Sequence, residues 1–121
     1  MVTTSRKSSR GLNVPERGDL VWMTFNPSLG HEQGSRRPAI VLSSRYYNER
    51  VGLALVCPIT SQQKGYPFEI ALPHGKVEGV ILADHVRSVD WKQRKSVFIT
   101  TVPSETVSRV RGRLVDLLTE D

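Results

Sequence analysis

The apolar residues of this chain fall into short runs separated by polar, Gly- and Pro-containing segments. Leu20 to Phe25 reads as a first strand, introduced by the Gly18-Asp19 punctuation. The polar stretch from Asn26 to Arg37 follows, broken by Pro27, Gly30 and Gly34; a loop of that length in a small domain is uncommon and often functional. Pro38 to Ser43 reads as a second strand, with its proline at a tolerated first position. Val51 to Cys57 reads as a third strand, and Thr60 to Gly65 as a second polar loop. Phe68 to Leu72 reads as a fourth strand, and Pro73 to Lys76 as a turn. Gly79 to Leu82 and Val86 to Val89 read as two short strands or one bent one, and Val97 to Val102 as the last. The period then changes. Pro103-Ser104-Glu105 opens a helix, and Val107, Val110, Leu114, Leu117 and Leu118 follow at helical spacing on a core-facing or partner-facing stripe. Six or seven short strands with one C-terminal helix describe a small, strongly bent, mostly antiparallel barrel.

Composition adjusts this picture in two places. The chain has 121 residues, the size of one domain. Its net charge is +5, but residues 1–13 contribute Arg6, Lys7 and Arg10 with no acid. Most of the excess therefore sits on what reads as a flexible basic N-terminal arm, ahead of a domain over 14–121 that is only mildly basic. Charge alone is weak support for a nucleic-acid partner. The arm lacks the apolar core of a secretory signal, and no run approaches the length of a membrane span. Cys57 is the single cysteine, so no internal disulfide can form. Its apolar surroundings predict a buried strand thiol, in keeping with a reducing cytoplasm.

Several chemistries lack their residues. There is no phosphate-binding P-loop, dinucleotide-binding glycine fingerprint or nucleophile elbow. His31, His74 and His85 are not at zinc-binding spacing, and the carboxylates are scattered, so neither a metal nor a cofactor is expected. What remains is Arg37, where the first polar loop enters an apolar strand, and Thr60, where another apolar strand gives way to the second loop. A guanidinium held by a strand end presents planar, paired donors suited to a phosphodiester. Taken singly, each residue reads as an ordinary surface arginine or turn threonine; only their combination changes that.

The order of motifs resembles one family. Gly18-Asp19-Leu20-Val21-Trp22, then Phe25-x-Pro27, then Gly30-x-Glu32-Gln33-x-x-x-Arg37-Pro38-Ala39-Ile40-Val41-Leu42-Ser43 resemble the opening of MazF/PemK toxins. Tyr47-Asn48, Pro58-Ile59-Thr60, Lys64-Gly65-Tyr66-Pro67-Phe68-Glu69 and Leu82-Ala83-Asp84-His85-Val86-Arg87-Ser88 continue the resemblance in order, over roughly residues 14–118. It implies an SH3-like barrel that forms a homodimer, and the toxin role of a type II toxin–antitoxin system. It implies metal-independent cleavage of single-stranded RNA at short sequences, leaving 2′,3′-cyclic phosphate and 5′-hydroxyl ends. It also implies a MazE-like antitoxin whose acidic segment lies across the RNA groove.

Carried over position by position, the family's catalytic arginine falls on Arg37, its threonine on Thr60 and its loop acid on Glu32, beside Gln33. Arg37 and Thr60 are suited to stabilising charge on the phosphoryl oxygens. The resemblance implies that the arginine serves as both acid and base, but a free guanidinium holds its proton far above neutrality and is a poor base there, so Glu32 is the alternative proton acceptor. Unstacked bases are read by aromatic and polar groups on loops. Gln33, Lys64, Tyr66 and Phe25 are accordingly the expected RNA contacts, with Trp22 and Trp91 as core or dimer contacts. Thr24 and His85 depart from the resemblance, standing where relatives commonly carry an acid and a glutamine. They bear on cleavage specificity more than on activity, and a structural place is the ordinary expectation for His85. The related barrel of CcdB, a non-enzymatic gyrase poison, is the competing reading; that class lacks the Arg37/Thr60 pair.

Overall fold

The structure, a computed structural model, describes residues 14–25 and 36–120. Glu32, Gln33, the remainder of their loop and the arm 1–13 lie outside the described residues. Seven strands form one sheet: β1 Asp19–Thr24, β2 Arg36–Val41, β3 Ala54–Thr60, β4 Glu69–Ala71, β5 Val80–Leu82, β6 Arg87–Val89 and β7 Val97–Thr101. Helix α1, Arg45–Val51, joins β2 to β3, and helix α2, Ser104–Thr119, ends the fold. All the strand pairings are antiparallel, in the order β4-β5-β3-β2-β1-β7, with β6 on β3. The expected bent sheet is present. Among the described residues no pairing joins β4 to β7, so hydrogen bonds do not close the barrel.

The central strands read as continuous apolar runs because both of their faces are buried. Val21, Met23, Ala39, Val41 and Val56 point into one core with Val14 and Trp91. Leu20, Ile40, Cys57 and Ile59 point into a second, covered by Val107 and Val110 of α2. The thiol of Cys57 lies in that second core, and burial pushes it up to about 12 from the ordinary 9.0, assisted by the charge of Asp84. Helix α2 runs unbroken through Gly112. Its apolar stripe is covered only in part: Leu114 packs against the core, whereas Leu117 and Leu118 are exposed.

Helix α1 has no counterpart in the apolar pattern. Arg45 to Val51 carries no stripe and buries one side chain, the polar Asn48. Its ends are well specified. The Ser44 hydroxyl accepts the Tyr47 N–H, and Gly52 closes the helix at φ 83°. Asn48 explains the burial: its side-chain amide donates to the Pro15 carbonyl at 2.8 Å and its oxygen accepts from the Ser43 hydroxyl at 2.6 Å. The Asn48 carbonyl in turn accepts the Trp91 indole N–H at 2.9 Å. Trp91 is thus a core residue, while Trp22 is part-exposed.

Candidate active site

The two residues singled out from the sequence are brought together by strand register. β2 and β3 pair Ala39 with Pro58 and Ile40 with Cys57. Carried to the strand ends, the same alternation sets Arg37 across from Thr60. Both line one open cavity of about 460 Å³, walled by Trp22, Pro38, Lys76 and Glu78 among others. Successive strand residues face opposite ways, and this separates the two arginines of the pair. Arg37 is exposed toward the cavity, whereas Arg36 donates to the Thr24 hydroxyl at 3.0 Å and the Lys95 carbonyl at 2.9 Å. Arg94 donates to the Phe25 carbonyl at 2.6 Å; partial burial, with Arg87 nearby, holds its guanidinium below the ordinary arginine value. Together Arg36 and Arg94 form a clamp that ties the end of β1 to the start of β2 and to the turn at Lys95. Thr24, one of the departures, is therefore a buried partner of this clamp.

Thr60 ends β3 half-buried. Its hydroxyl oxygen accepts the Gln62 N–H at 3.1 Å, which leaves the hydroxyl hydrogen available to an anion. Gly79 fixes how closely β5 approaches this residue. A Cβ placed on Gly79 lies 2.3 Å from the Thr60 carbonyl oxygen, and its φ is +134°. Sequence reasoning did not single out Gly79, because the requirement is a contact between distant backbone segments. It also did not single out the groove wall formed by Gln62 and by Lys76 to Glu78.

Thr60 and Gln62 are shared with a second cavity of about 590 Å³, lined also by Lys64, Tyr66, Glu69, Leu82 and His85. The loop between them is stiffened by Glu69, whose carboxylate accepts the N–H of Lys64 at 2.9 Å and of Gly65 at 3.1 Å. Lys64 and Tyr66 line this second cavity. The Tyr66 hydroxyl donates to Asp84, and that hydrogen bond raises the phenol above its ordinary value. Phe25 does not fit its expected stacking role. It is 5% exposed, sits in the first core and has the Arg87 guanidinium over its ring at 5.3 Å. Its face is already occupied, so it supports the fold and is not available to a base. Among the described residues no three His, Cys, Asp or Glu side chains group together at metal-binding geometry.

A bent antiparallel sheet, a C-terminal helix and an arginine–threonine groove at two strand ends define a class, and comparison with known proteins agrees. The model of the PemK-like, MazF-like toxins of type II toxin–antitoxin systems matches residues 16–118, and the chain belongs to that family. It is similar to the endoribonuclease toxin MazF of Escherichia coli K12, at 43% identity over 84% of this chain and 91% of that protein. The endoribonuclease toxin ChpB of the same organism is 38% identical over 82% and 90%. Among solved structures, MazF of Deinococcus radiodurans is 52% identical with a TM-score of 0.79, covering 87% of this chain and 96% of that one. A MazE–MazF complex from that organism matches at 47% identity and a TM-score of 0.78, covering 89% and 98%.

Proposed function

We propose that this chain is the toxin of a type II toxin–antitoxin system and cleaves single-stranded RNA without a metal, using Arg37 and Thr60. The observation that carries this reading is the placement of Arg37 and Thr60 at the facing ends of β2 and β3, in one open groove. The curated relatives support it, being endoribonucleases by name; none of them favours the non-enzymatic, CcdB-like alternative.

In this mechanism the ribose 2′-OH attacks the adjacent phosphorus. The charge that develops on the phosphoryl oxygens is met by the Arg37 guanidinium and the Thr60 hydroxyl, preorganised donors that need no rearrangement. The 2′-OH proton passes to Glu32. The 5′-oxygen leaves, giving 2′,3′-cyclic phosphate and 5′-hydroxyl ends. Gln33, Lys64 and Tyr66 contact the flanking nucleotides, Tyr66 by stacking. A homodimer in the cytoplasm, silenced by a MazE-like antitoxin laid over the groove, completes the reading. Solved MazE–MazF complexes of relatives support the partner, and no described helix is long and apolar enough to cross a membrane.

The test is to map cut ends on a long RNA in the presence of chelator. Cuts at a short motif with cyclic phosphate ends, abolished by Arg37→Ala, are expected. RNA left intact by a folded preparation would refute the reading. A pH–rate profile of Glu32→Gln identical to wild type would remove Glu32 from the chemistry.

A further inference from the structure

Cleavage through a 2′-OH also needs a proton delivered to the departing 5′-oxygen, and neither Arg37 nor Thr60 is suited to release one. The second cavity holds a group that is. His85 extends from a one-turn 3₁₀ helix, Ala83–His85, between β5 and β6, and shares that cavity with Thr60. Its imidazole is 56% exposed, and its Nε2 lies 3.8 Å from Asp84 Oδ1. Asp84 is mostly buried, with its side chain 19% exposed. Its Oδ2 is engaged by the Tyr66 hydroxyl, whereas Oδ1 is buried and, among the described residues, has no hydrogen-bond partner. A buried carboxylate oxygen without a partner is unfavourable. A small turn of the imidazole gives it the Nε2–H.

Among the described residues, few charged groups line this cavity. Lys64 and Tyr66 face the cavity from the β3–β4 loop and Glu69 from β4, where its carboxylate is occupied by loop N–H groups. From β3 come Thr60 and the buried Cys57, whose thiol donates to the Ala83 carbonyl. Helix α2 packs behind the turn through Val107 and Val110 and lends no charged side chain to the cavity.

We infer that His85, oriented by Asp84, is a proton donor to the leaving 5′-oxygen; the inference rests on the ribonuclease reading above. In-line displacement sets the attacking and leaving oxygens on opposite sides of phosphorus. The two cavities meet at Thr60 and Gln62, so a phosphate seated on Thr60 has Arg37 on one side and His85 on the other. The 2′-oxygen–phosphorus bond forms as its proton goes to the acceptor on the Arg37 side. The phosphorus–5′-oxygen bond breaks as His85 Nδ1, the nitrogen turned away from Asp84, gives up its proton. The neutral imidazole then recovers a proton from water. Asp84 is a positioning residue, and Tyr66 fixes Asp84.

The test compares His85→Gln with wild type on two RNAs, one ordinary and one with sulfur in place of the 5′-oxygen at the cut site. Glutamine keeps a hydrogen-bonding side chain but cannot deliver a proton, and a thiolate leaves without one. On ordinary RNA, kcat should fall about 10²-fold, as expected for loss of a general acid, with KM unchanged. The alkaline limb expected of a general acid in the wild-type pH–rate profile should be absent from the variant. On the sulfur-bridged RNA the deficit should largely vanish. An equal deficit on both substrates, a deficit confined to KM, or no deficit at all overturns the assignment while leaving the ribonuclease intact. Wild type failing to cut ordinary RNA overturns the ribonuclease reading itself.

Discussion

Gly79→Ala tests whether the groove depends on how closely two backbones approach. The added Cβ falls 2.3 Å from the Thr60 carbonyl oxygen, 3.0 Å from the Thr60 carbonyl carbon and 3.3 Å from Ser61 Cα. Carbon–oxygen contacts between strands settle at roughly 3.3–3.6 Å, so β5 and the end of β3 must part by about 1 Å. Gly79 cannot simply back away, because its carbonyl accepts the Leu72 N–H at 3.2 Å. A methyl group at φ +134° adds backbone strain of about 1–3 kcal/mol. Overpacking adds about 1–3 kcal/mol more. For a domain of this size the two together lower Tm by roughly 10–20 °C. The effect on catalysis is separate. A 1 Å displacement of a positioning group can cost about 10²-fold in rate, and Thr60 moves with its own carbonyl. The assay is a thermal melt paired with single-turnover RNA cleavage at a temperature where the variant stays folded. Gly75→Ala serves as the control, since its Cβ meets nothing nearer than the Pro73 carbonyl at 3.9 Å. Wild-type Tm and cleavage rate in Gly79→Ala would show that the approach relaxes freely and that Thr60 does not depend on it.

Other outcomes follow from the same geometry. Thr60→Val removes a hydroxyl donor while keeping shape and should lower kcat about 10²–10³-fold with little change in Tm; an unchanged rate removes Thr60 from charge stabilisation. Asn48→Ala strips the partners of Pro15 and Ser43 and should destabilise by about 3 kcal/mol, read by denaturant melt. Native Cys57, with its proton held to about 12, should resist alkylation at pH 8 and react only on unfolding; rapid labelling of the folded chain contradicts its burial. The sign of the linkage follows. The folded thiol is raised above the unfolded 9.0, so its contribution to stability is complete below that pH and is lost as pH rises toward about 12.

The parts of this fold that are legible in the sequence are those whose side chains face apolar partners. Ala39 to Val41 reads as a strand because alternate residues enter two different cores. Helix α1 does not, because tertiary contacts hold it through a polar residue, Asn48. The only sequence signs of it are its ends, Ser44 and Gly52. The site divides in the same way. Arg37 and Thr60 stand at recognisable transitions from apolar strand to polar loop, and family resemblance names them. Their juxtaposition depends on register, and the position of Gly79 on a backbone distance. Phe25 misleads because an aromatic residue at a loop mouth gives no sign of which way its ring turns. Asp84 is silent because its meaning lies in Tyr66, which reaches it from the separate β3–β4 loop, and in the direction its neighbour His85 turns.

Strand β3 explains why the groove lies where it does. One edge of β3 pairs with β2 throughout Val56 to Pro58. The other edge changes partner, from β6 over Ala54 to Val56 to β5 over Ile59 and Thr60. Cys57 and Pro58 fall between those two segments. Proline has no N–H to give to a ladder and is confined to places where none is required, so Pro58 sits where the missing donor costs nothing on that edge. Thr60 emerges past this change of partner, and the β2–β3 register carries it to a position across from Arg37. The same change of partner brings β5 against Thr60, which is why a glycine is required at 79. It also places the Ala83–His85 turn, which continues directly from β5, at the second cavity. The apolar strand that forms the core and the polar groups proposed to act on RNA are thus set by one feature, the switch of β3 from one neighbour to the next.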